Sequence, residues 1–330
     1  METSYPKCRK IALLGVLIVL LSMFLYLFGV LIAIPRRLMF NTDLFKQINF
    51  FFVWYSGVPF LVGTIMILVE LFFIAPERRR YSSLKFCEVK NKKITVVLTA
   101  YNDEQSIGQS VADFKNHPFV QRVLVISNNS KDKTIEVAEA NGAIAYNEEM
   151  QGYGSCVHRA LSEGVKFDDT EIVLLCEGDM TFRSIDIDKF LSYIDHVDIV
   201  NGTRIVEQLR EKVTQLSTFM FYGNYFVGKL LEIKHLGATN LSDVGTTYKL
   251  CRKNVLKELL PNLDPKVNLE FNPYFLDVAL QNGFKVIECP ITFYNRVGVS
   301  KGGNISNFVA FKLGVRMIGG IIMGWKEEKE

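Results

Sequence analysis

The sequence predicts an α/β fold with a mostly parallel sheet, preceded by a helical hairpin in a membrane. From residue 94 onward, short β-branched and apolar runs alternate with helical stretches, and this alternation is typical of βαβ units. Upstream of them, two long apolar stretches occupy much of the first 75 residues. Together these patterns indicate a membrane-anchored α/β protein.

The N-terminal part of the chain is typical of a membrane hairpin. Residues 11–34 contain no charged residue, and they are long enough to cross a hydrocarbon core of about 30 Å as a helix. Pro35 and two arginines follow, without the small-residue cleavage site of a signal peptide. A second apolar stretch covers about 50–75. We therefore predict a hairpin over residues 1–80, with spans at about 11–34 and 50–75.

Basic residues indicate how the hairpin is oriented. The residues that flank its two outer ends are Lys7, Arg9, Lys10, Arg78, Arg79, Arg80 and Lys85, and the loop between the spans holds Arg36, Arg37 and Lys46. The positive-inside tendency then places both termini, and the bulk of the chain, in the cytoplasm. The six cysteines are scattered, which fits buried free thiols in a reducing compartment. We expect no nucleic-acid partner, and a homo-oligomer remains open.

The elements that follow the hairpin can be assigned in order. Strands are predicted at residues 94–100, 122–127, 143–147, 171–179 and 197–203, and a later strand should end in residues 290–295. Helices are predicted at 103–115, 131–142 and 155–165. Sheets of this kind bind ligands at the carboxyl ends of their strands, so the strand ends are where a functional site is expected.

Polar residues follow the predicted strands at three of these ends. They form the segments 100–103, 127–130 and 177–179. The third segment holds Glu177 and Asp179, and a carboxylate pair at the mouth of a parallel sheet suits a hard cation such as Mg²⁺ or Mn²⁺. Gly178 would let the backbone turn so that both acids face one site. The alternative is that the two acids only begin a turn or cap a helix.

These strand ends resemble those of family 2 glycosyltransferases. The segments VVLTAYNDEQSI, VISNNSKDKT, QGYGS, LLCEGDM, VNGTR and SDVGTTYKLCRKNVL have the order and spacing of that family. The stretch ALQNGFKVIECPITFYNRVGVSKGGN resembles the dolichyl-phosphate mannose synthase branch, the polyprenyl-phosphate glycosyltransferases. The resemblance covers roughly residues 93–304. It implies the GT-A fold, the Rossmann-like fold of nucleotide-diphospho-sugar transferases, in a cytoplasmic catalytic domain taken as residues 81–303.

The resemblance also implies roles for individual residues. Those implied for nucleotide binding are Ala100, Tyr101, Asn102, Asp103, Ser127, Asn128, Gln151, Gly152, Gly178 and Ser300. Those implied for binding Mg²⁺ or Mn²⁺ are Glu177, Asp179 and Thr181. Those implied for catalysis are Asp179, Arg296, Lys301 and Glu270.

Two positions depart from the family pattern. Ser127 and Asn128 stand where the family usually has two aspartates, and Asn128 keeps an acceptor while it loses a charge. Glu177 replaces the first aspartate of the metal-binding D-x-D, which lengthens the side chain by one methylene. These departures bear on base and metal preference. They also leave open a non-catalytic membrane scaffold that keeps the fold.

The residues that follow the last predicted strand indicate a phosphate acceptor. Arg296, Ser300 and Lys301 form R-x-x-x-S-K, and two cations with a hydroxyl suit phosphate oxygens. A phosphomonoester is already anionic, so it needs positioning and charge neutralisation more than a general base. We therefore expect an inverting transfer of a hexosyl or N-acetylhexosaminyl group from a UDP- or GDP-sugar to a dolichyl or undecaprenyl phosphate.

A hydroxyl acceptor, such as a polysaccharide or a glycolipid, is the alternative. Glu270 is the acid that lies in the region where relatives with hydroxyl acceptors place a base. Its other interpretation is an orienting partner for Arg296 or for a backbone amide. Apolar residues recur at helical spacing in 304–330. This segment is predicted to be an amphipathic helix at the membrane interface, and packing on the enzyme's own core is nearly as well supported.

Overall fold

The computed structural model describes residues 10–38, 42–76, 86–206, 209, 217–236, 238–298 and 307–325. The chain divides into two compact units. One consists of Met1–Tyr81 with Ile233–Gly237, and the other of Ser82–Glu232 with Ala238–Glu330.

The first unit contains the helical hairpin. Its helices are α1 (Ile11–Leu38), α2 (Asp43–Tyr55) and α3 (Gly57–Val69), and α3 continues into a π-helical turn at Glu70–Ile74. The stretches Ile11–Pro35 and Asp43–Ile74 are both long and apolar enough to cross a membrane. Only 11% of the most apolar window of each is buried, so they are unlike the packed core helices of a soluble domain.

The bounds of the two long helices differ from the predicted spans. Helix α1 does not end before Pro35 but continues to Leu38. The second helical stretch begins at Asp43 rather than near residue 50. An acid in the first turn is favoured by the helix dipole, which explains why the polar segment before residue 50 is helical.

Small residues let the two long helices approach closely. A Cβ placed on Gly15 would lie 2.7 Å from the carbonyl oxygen of Gly63, and one on Gly63 would lie 2.6 Å from that of Gly15. Ser22 Oγ donates to the carbonyl of Ser56 at 2.6 Å. Close backbone approach and interhelical hydrogen bonds are the means by which helices associate in lipid.

The second unit is built on a seven-stranded sheet. Its strands are β1 (Ile94–Ala100), β2 (Val120–Ser127), β3 (Ile144–Asn147), β4 (Ile172–Glu177), β5 (Ile199–Thr203), β6 (Lys249–Arg252) and β7 (Val286–Pro290). Its α-helices are α4 (Ile107–Lys115), α5 (Thr134–Ala140), α6 (Tyr153–Gly164), α7 (Ile187–Leu191), α8 (Thr218–Lys234), α9 (Lys253–Leu259), α10 (Phe271–Gln281) and α11 (Asn307–Met323). Short 3₁₀ turns cover Ser184–Asp186 and Leu260–Asn262.

The sheet has the order β3-β2-β1-β4-β6-β5-β7. Every neighbouring pair is parallel except the two that involve β6, which runs antiparallel to β4 and to β5. The prediction of a mostly parallel α/β sheet is therefore confirmed. Strand β6 was not anticipated. Strand β7 ends at Pro290 rather than continuing toward residue 295.

An aromatic cluster packs beneath the carboxyl end of β4. The ring of Tyr248, which is fully buried, lies 4.9 Å from Phe190 and 5.4 Å from Phe182 between centroids. Phe182 also packs on Phe293 at 5.5 Å. Because Phe182 and Phe293 lie just after β4 and β7, this cluster fixes the two loops that carry the polar strand ends.

We expect Gly154→Ala to destabilise the second unit. The added Cβ would lie 1.8 Å from the carbonyl oxygen of Val267 and 2.9 Å from that of Pro265, and backbone atoms cannot move away cheaply. Overpacking of this kind costs about 1–3 kcal/mol or more. The matched control is Gly314→Ala, also in a helix but with nothing within 4 Å. Thermal unfolding in detergent should show a lowered midpoint for Gly154→Ala alone, and equal midpoints would contradict the packing argument.

Candidate active site

One large cavity lies at the carboxyl ends of the parallel strands. Its volume is about 1050 Å³. The residues of the sequence-predicted site that line it are Ala100, Tyr101, Asp103, Asn128, Gln151, Gly152, Glu177, Asp179, Thr181 and Arg296. The fold therefore brings together, at one edge of the sheet, residues from five separate segments of the chain.

The carboxylate pair at the end of β4 forms the floor of the polar end of this cavity. Asp179 is 1% exposed, and its Oδ1 accepts hydrogen bonds from the amide and the hydroxyl of Thr181 at 3.0 and 2.5 Å. Glu177 Oε1 accepts a hydrogen bond from Thr247 Oγ1 at 2.7 Å. Burial, and then the neighbouring charge of Asp179, raise the pKa of Glu177 to about 7.

Arg296 joins two of the strand ends. Its Nη1 lies 3.0 Å from Asp179 Oδ2, and its Nη2 donates to Asp103 Oδ1 at 3.2 Å. Although burial alone lowers the pKa of the guanidinium, the charges of Asp179 and Asp103 leave it raised. The arginine therefore stays fully charged between two buried carboxylates.

Backbone hydrogen bonds place Arg296 at this position. The amide of Tyr294 donates to the carbonyl of Thr181 at 3.0 Å, and the amide of Val297 donates to that of Asp179 at 3.1 Å. The segment after β7 is thus tied directly to the segment after β4. These backbone hydrogen bonds position the guanidinium of Arg296 next to the carboxylates.

The carboxylate pair fits a divalent cation in one specific respect. Asp179 Oδ2 is buried and accepts no hydrogen bond, because Nη1 of Arg296 approaches it without hydrogen-bond alignment. No group of three or more histidine, cysteine or acidic side chains with metal-ligand geometry occurs among the described residues. Mg²⁺ typically uses one or two carboxylates and completes its shell with phosphate oxygens and water. Two carboxylates with a free acceptor are consistent with that chemistry.

The turn between the two acids is made differently from the prediction. The φ of Gly178 is not positive, and the residue with left-handed backbone is Met180, with φ 68°. A Cβ on Gly178 would lie 2.4 Å from Cδ1 of Ile107. A side chain at this position would therefore need the end of the Ile107 side chain to shift, so close packing, more than the conformation of the turn, favours glycine here.

The residues after β1 and β2 divide into two groups. Tyr101 and Asp103 line the cavity, whereas Asn102 and Ser127 do not. Asn102 has φ 53° and accepts from the amide of Lys131 at 2.8 Å. Ser127 is fully buried and donates to Ser130 Oγ at 2.7 Å. These two side chains shape the loops of the site and do not face the cavity.

Asn128 holds the loop that precedes α6. Its Nδ2 donates to the carbonyl of Met150 at 2.8 Å, and its Oδ1 accepts from the amide of Gly152 at 2.9 Å and from Gln151 Nε2 at 3.2 Å. An aspartate at this position could not donate to Met150. The asparagine therefore builds this loop through both ends of its amide.

The remaining residues of the predicted site are Glu270, Ser300 and Lys301. Glu270 is 7% exposed and does not line the cavity, and its carboxylate pairs with Arg316 of α11. Of the interpretations given for Glu270, the one as a partner of Arg296 is not observed, because Arg296 contacts Asp103 and Asp179. Ser300 and Lys301 lie outside the described residues.

The structure adds polar residues that the sequence analysis did not single out. Arg204 is held by Asp243 through its Nε and Nη2, both at 2.7 Å, and it lines the cavity. Thr247 lines the cavity beside Glu177, and Lys249 is buried behind it. The signal was present in VGTTYKLC (244–251), where Lys249 interrupts an otherwise uncharged run.

The other end of the cavity is apolar. It is lined by two helices of the second unit, α8 with Phe219, Met220, Tyr222, Phe226 and Val227, and α11 with Val309, Phe311, Leu313, Val315, Met317 and Ile318. Several of these side chains are also exposed: Tyr222 is 65% exposed and Phe311 is 57% exposed. The cavity therefore connects a charged end to an apolar end that opens outward.

Helix α11 packs on the second unit along one side. Met317 and Ile321 are buried, and Trp325 Nε1 donates to Asp277 Oδ2 at 2.7 Å while its ring packs on Tyr274. Phe308, on the other side, is 77% exposed. The helix thus combines packing on the enzyme with an exposed apolar face.

The sheet order, the polar strand ends and the carboxylate pair together define an α/β enzyme of the GT-A class. Solved structures agree on the fold. A mycobacterial protein is similar to this chain with a TM-score of 0.54 and 13% identity over 77% of this chain and 80% of that one. Glucosyl-3-phosphoglycerate synthase from Mycobacterium tuberculosis, crystallised with Mn²⁺ and UDP-glucose, is similar with a TM-score of 0.50 and 13% identity over 78% and 85%.

Sequence comparison identifies the family. Residues 95–260, half of the chain, match the model of glycosyl transferase family 2. The chain therefore belongs to glycosyl transferase family 2, and it is a glycosyltransferase. The resemblance inferred from the strand-end motifs is confirmed.

Curated relatives extend the comparison. A dolichyl-phosphate hexose transferase from Haloferax volcanii is 30% identical over 209 residues, which cover 63% of this chain and 86% of that protein. A UDP-N-acetylglucosamine–dolichyl-phosphate N-acetylglucosaminyltransferase from Methanococcus voltae is 24% identical over 249 residues, which cover 69% and 96%. Both support the resemblance to the polyprenyl-phosphate branch.

Proposed function

We propose that this protein transfers a sugar from a nucleotide-diphosphate sugar to a polyprenyl phosphate at a membrane surface, with inversion at the anomeric carbon. The observation that carries the proposal is the cavity itself. One end holds two carboxylates and an arginine, and the other is an apolar channel between α8 and α11. A charged donor and a lipid acceptor need these two environments side by side.

The polar end suits the donor. Tyr101, Asp103 and Gln151 surround the space where a nucleoside would lie, and the carboxylates of Glu177 and Asp179 would hold a Mg²⁺ or Mn²⁺ ion. When bound, such an ion neutralises the diphosphate and favours its departure. The loop that Asn128 builds closes one side of the space.

Arg296 has a defined part in this proposal. In the structure its guanidinium neutralises Asp179 Oδ2 and Asp103 Oδ1. A bound cation would take over the charge of Asp179, and Nη1 would then be free for a phosphate oxygen. The planar guanidinium donates to two oxygens at once, so Arg296 can follow the negative charge that develops on the leaving diphosphate.

The apolar end suits the acceptor. Aromatic and aliphatic side chains of α8 and α11 line it, and the relatives named for dolichyl phosphate are similar over most of their own length. Arg204, fixed by Asp243, is a further cation on the wall of the cavity. The acceptor phosphate would meet these cations while its hydrocarbon chain remains against the helices.

We further propose that the hairpin anchors the enzyme with its catalytic part in the cytoplasm. In a chain freed of other cysteines, a cysteine at Asn41 should be labelled from outside intact cells, and one at Ser83 should not. The basic residues at the outer ends of the hairpin are the reason for this expectation. Labelling at Ser83 and not at Asn41 would reverse the orientation.

Transfer should depend on Asp179 and on a divalent cation. We expect Asp179→Ala to abolish transfer of radiolabelled sugar from UDP- or GDP-sugars to polyprenyl phosphate, and EDTA to abolish it in the wild type. The control is Asp168→Ala, an acid whose side chain is 92% exposed, which should keep the wild-type rate. Full turnover by metal-stripped enzyme in EDTA would contradict the role given to the carboxylate pair.

Glu270→Gln separates the phosphate acceptor from a hydroxyl acceptor. Because Glu270 pairs with Arg316 outside the cavity lining, the substitution should lower transfer to polyprenyl phosphate only in part, by about tenfold, which is the lower end of what one charge-assisted hydrogen bond contributes. Arg316→Gln breaks the same pair and should lower the rate to a similar extent. Complete loss with Glu270→Gln, while Arg316→Gln remains active, would identify a catalytic base and favour an alcohol acceptor.

A further inference from the structure

A continuous chain of buried and partly buried hydrogen bonds leads from a lysine in the sheet to Glu177. Its members, called here the support chain, are Lys249, Asn272, Tyr153 and Thr247. Lys249 Nζ donates to Asn272 Oδ1 at 3.1 Å, and Asn272 Nδ2 donates to Tyr153 Oη at 2.9 Å. Tyr153 Oη lies 2.5 Å from Thr247 Oγ1, which in turn donates to Glu177 Oε1 at 2.7 Å.

With Lys249 as an ammonium and Glu177 as a carboxylate, every hydrogen bond in the support chain has a fixed direction. The ammonium of Lys249 can only donate, so the amide atom of Asn272 that faces it must be the oxygen. The carboxylate of Glu177 can only accept, so the single hydroxyl proton of Thr247 is used there. Tyr153 must therefore donate to Thr247. One arrangement of protons satisfies all four links.

The support chain crosses four segments of the second unit. Lys249 is the first residue of β6, where it is paired in register with Leu175 of β4, and Thr247 lies two residues before it. Tyr153 begins α6 and Asn272 lies in the first turn of α10. Lys249, Thr247 and Asn272 are all at least nine-tenths buried.

Glu177 needs such a support more than a shorter acid would. Its side chain has one more rotatable bond than aspartate has, and its carboxylate is adjacent to that of Asp179 at the floor of the cavity. Thr247 occupies Oε1, which leaves Oε2 as the oxygen that can reach a cation. Without Thr247, the carboxylate could rotate away from its neighbour.

We infer that the support chain positions Glu177 for a divalent cation, with Thr247 as the residue that contacts it. The inference rests on the proposed function, because it requires that Glu177 and Asp179 bind a metal ion. Every hydrogen bond in the support chain is donated in the direction of Glu177. Burial strengthens such a series of hydrogen bonds. Burial also lowers the pKa of Lys249 to about 7, and Lys249 can donate to Asn272 in either protonation state.

The test measures binding of Mn²⁺ by full-length protein in detergent, at saturating UDP, from the electron paramagnetic resonance signal of free Mn²⁺. Thr247→Val keeps the shape of the side chain and removes the hydroxyl, and we expect it to weaken Mn²⁺ binding about tenfold. Thr247→Ser keeps the hydroxyl and should stay within about twofold of the wild type. Tyr153→Phe should weaken binding about threefold, because Thr247 then keeps only the longer hydrogen bond from Asn272 Nδ2, at 3.3 Å.

Measuring the effect of Thr247→Val in the wild type and again in Glu177→Asp separates an effect on the position of Glu177 from general damage to the fold. In Glu177→Asp the shorter carboxylate lies beyond the reach of Thr247, so adding Thr247→Val should change Mn²⁺ affinity no further. Equal loss from Thr247→Val in both backgrounds would overturn the inference. If Thr247→Val does not fold, as shown by thermal unfolding, wild-type Mn²⁺ affinity in both Tyr153→Phe and Lys249→Met would overturn it.

The same measurements distinguish failure of the inference from failure of the proposed function. If Asp179→Ala loses Mn²⁺ while Thr247→Val binds it like the wild type, the cation site stands and the support chain is only structural. If the wild type itself binds no Mn²⁺ with UDP, nor with GDP in its place, the cation site is absent and the proposed function fails with it. Loss of Mn²⁺ binding in Thr247→Val, together with retained binding in Thr247→Ser, would support both the inference and the proposed function.

Discussion

Two carboxylates buried side by side at the end of a central strand are the constraint on which the rest of the site depends. Burial of a charge is costly unless an opposite charge or hydrogen bonds stabilise it. Glu177 and Asp179 carry like charges and cannot stabilise each other. The surrounding structure therefore supplies donors from several directions. Thr181 binds one oxygen of Asp179, Arg296 lies against the other, and Thr247 binds Glu177.

This requirement explains much of the architecture around β4. The segment after β7 pairs with the segment after β4, and this pairing delivers Arg296. Strand β6 runs antiparallel between β4 and β5, and this insertion places Lys249 and Thr247 behind Glu177. The aromatic cluster around Tyr248 fixes both loops. Elements that are distant in the sequence thus converge on the carboxylates of Glu177 and Asp179.

The cavity also accounts for why a glycosyltransferase of this kind would carry a hairpin and an exposed C-terminal helix. Its polar end is deep and closed by the sheet, whereas its apolar end lies between α8 and α11 and opens outward. In the proposed function, a water-soluble donor would then occupy the closed polar end and a lipid acceptor the open apolar end. The exposed aromatic side chains of the two helices, such as Tyr222 and Phe311, suit the boundary between water and hydrocarbon.

Local signals in the sequence were sufficient for the α/β class, the two apolar helices and the polar strand ends. Strand β1 is observed where it was predicted, because seven consecutive β-branched or apolar residues bury both faces of a central strand. The carboxylates of Glu177 and Asp179 could be found for a similar reason: a charged pair that ends an apolar strand has few structural explanations. The family motifs then ordered these local observations into one site.

Only the tertiary structure decided which of these side chains meet. The antiparallel direction of β6, the bridge from Arg296 to Asp103 and Asp179, and the support chain behind Glu177 all join residues far apart in the sequence. The ion pair of Glu270 with Arg316, rather than with Arg296, is another contact between residues far apart in the sequence. Such contacts depend on how helices and strands pack, and packing is a property of the whole chain. The sequence by itself determined the chemistry available at each strand end, and the packing of the strands and helices decided which groups share a hydrogen bond.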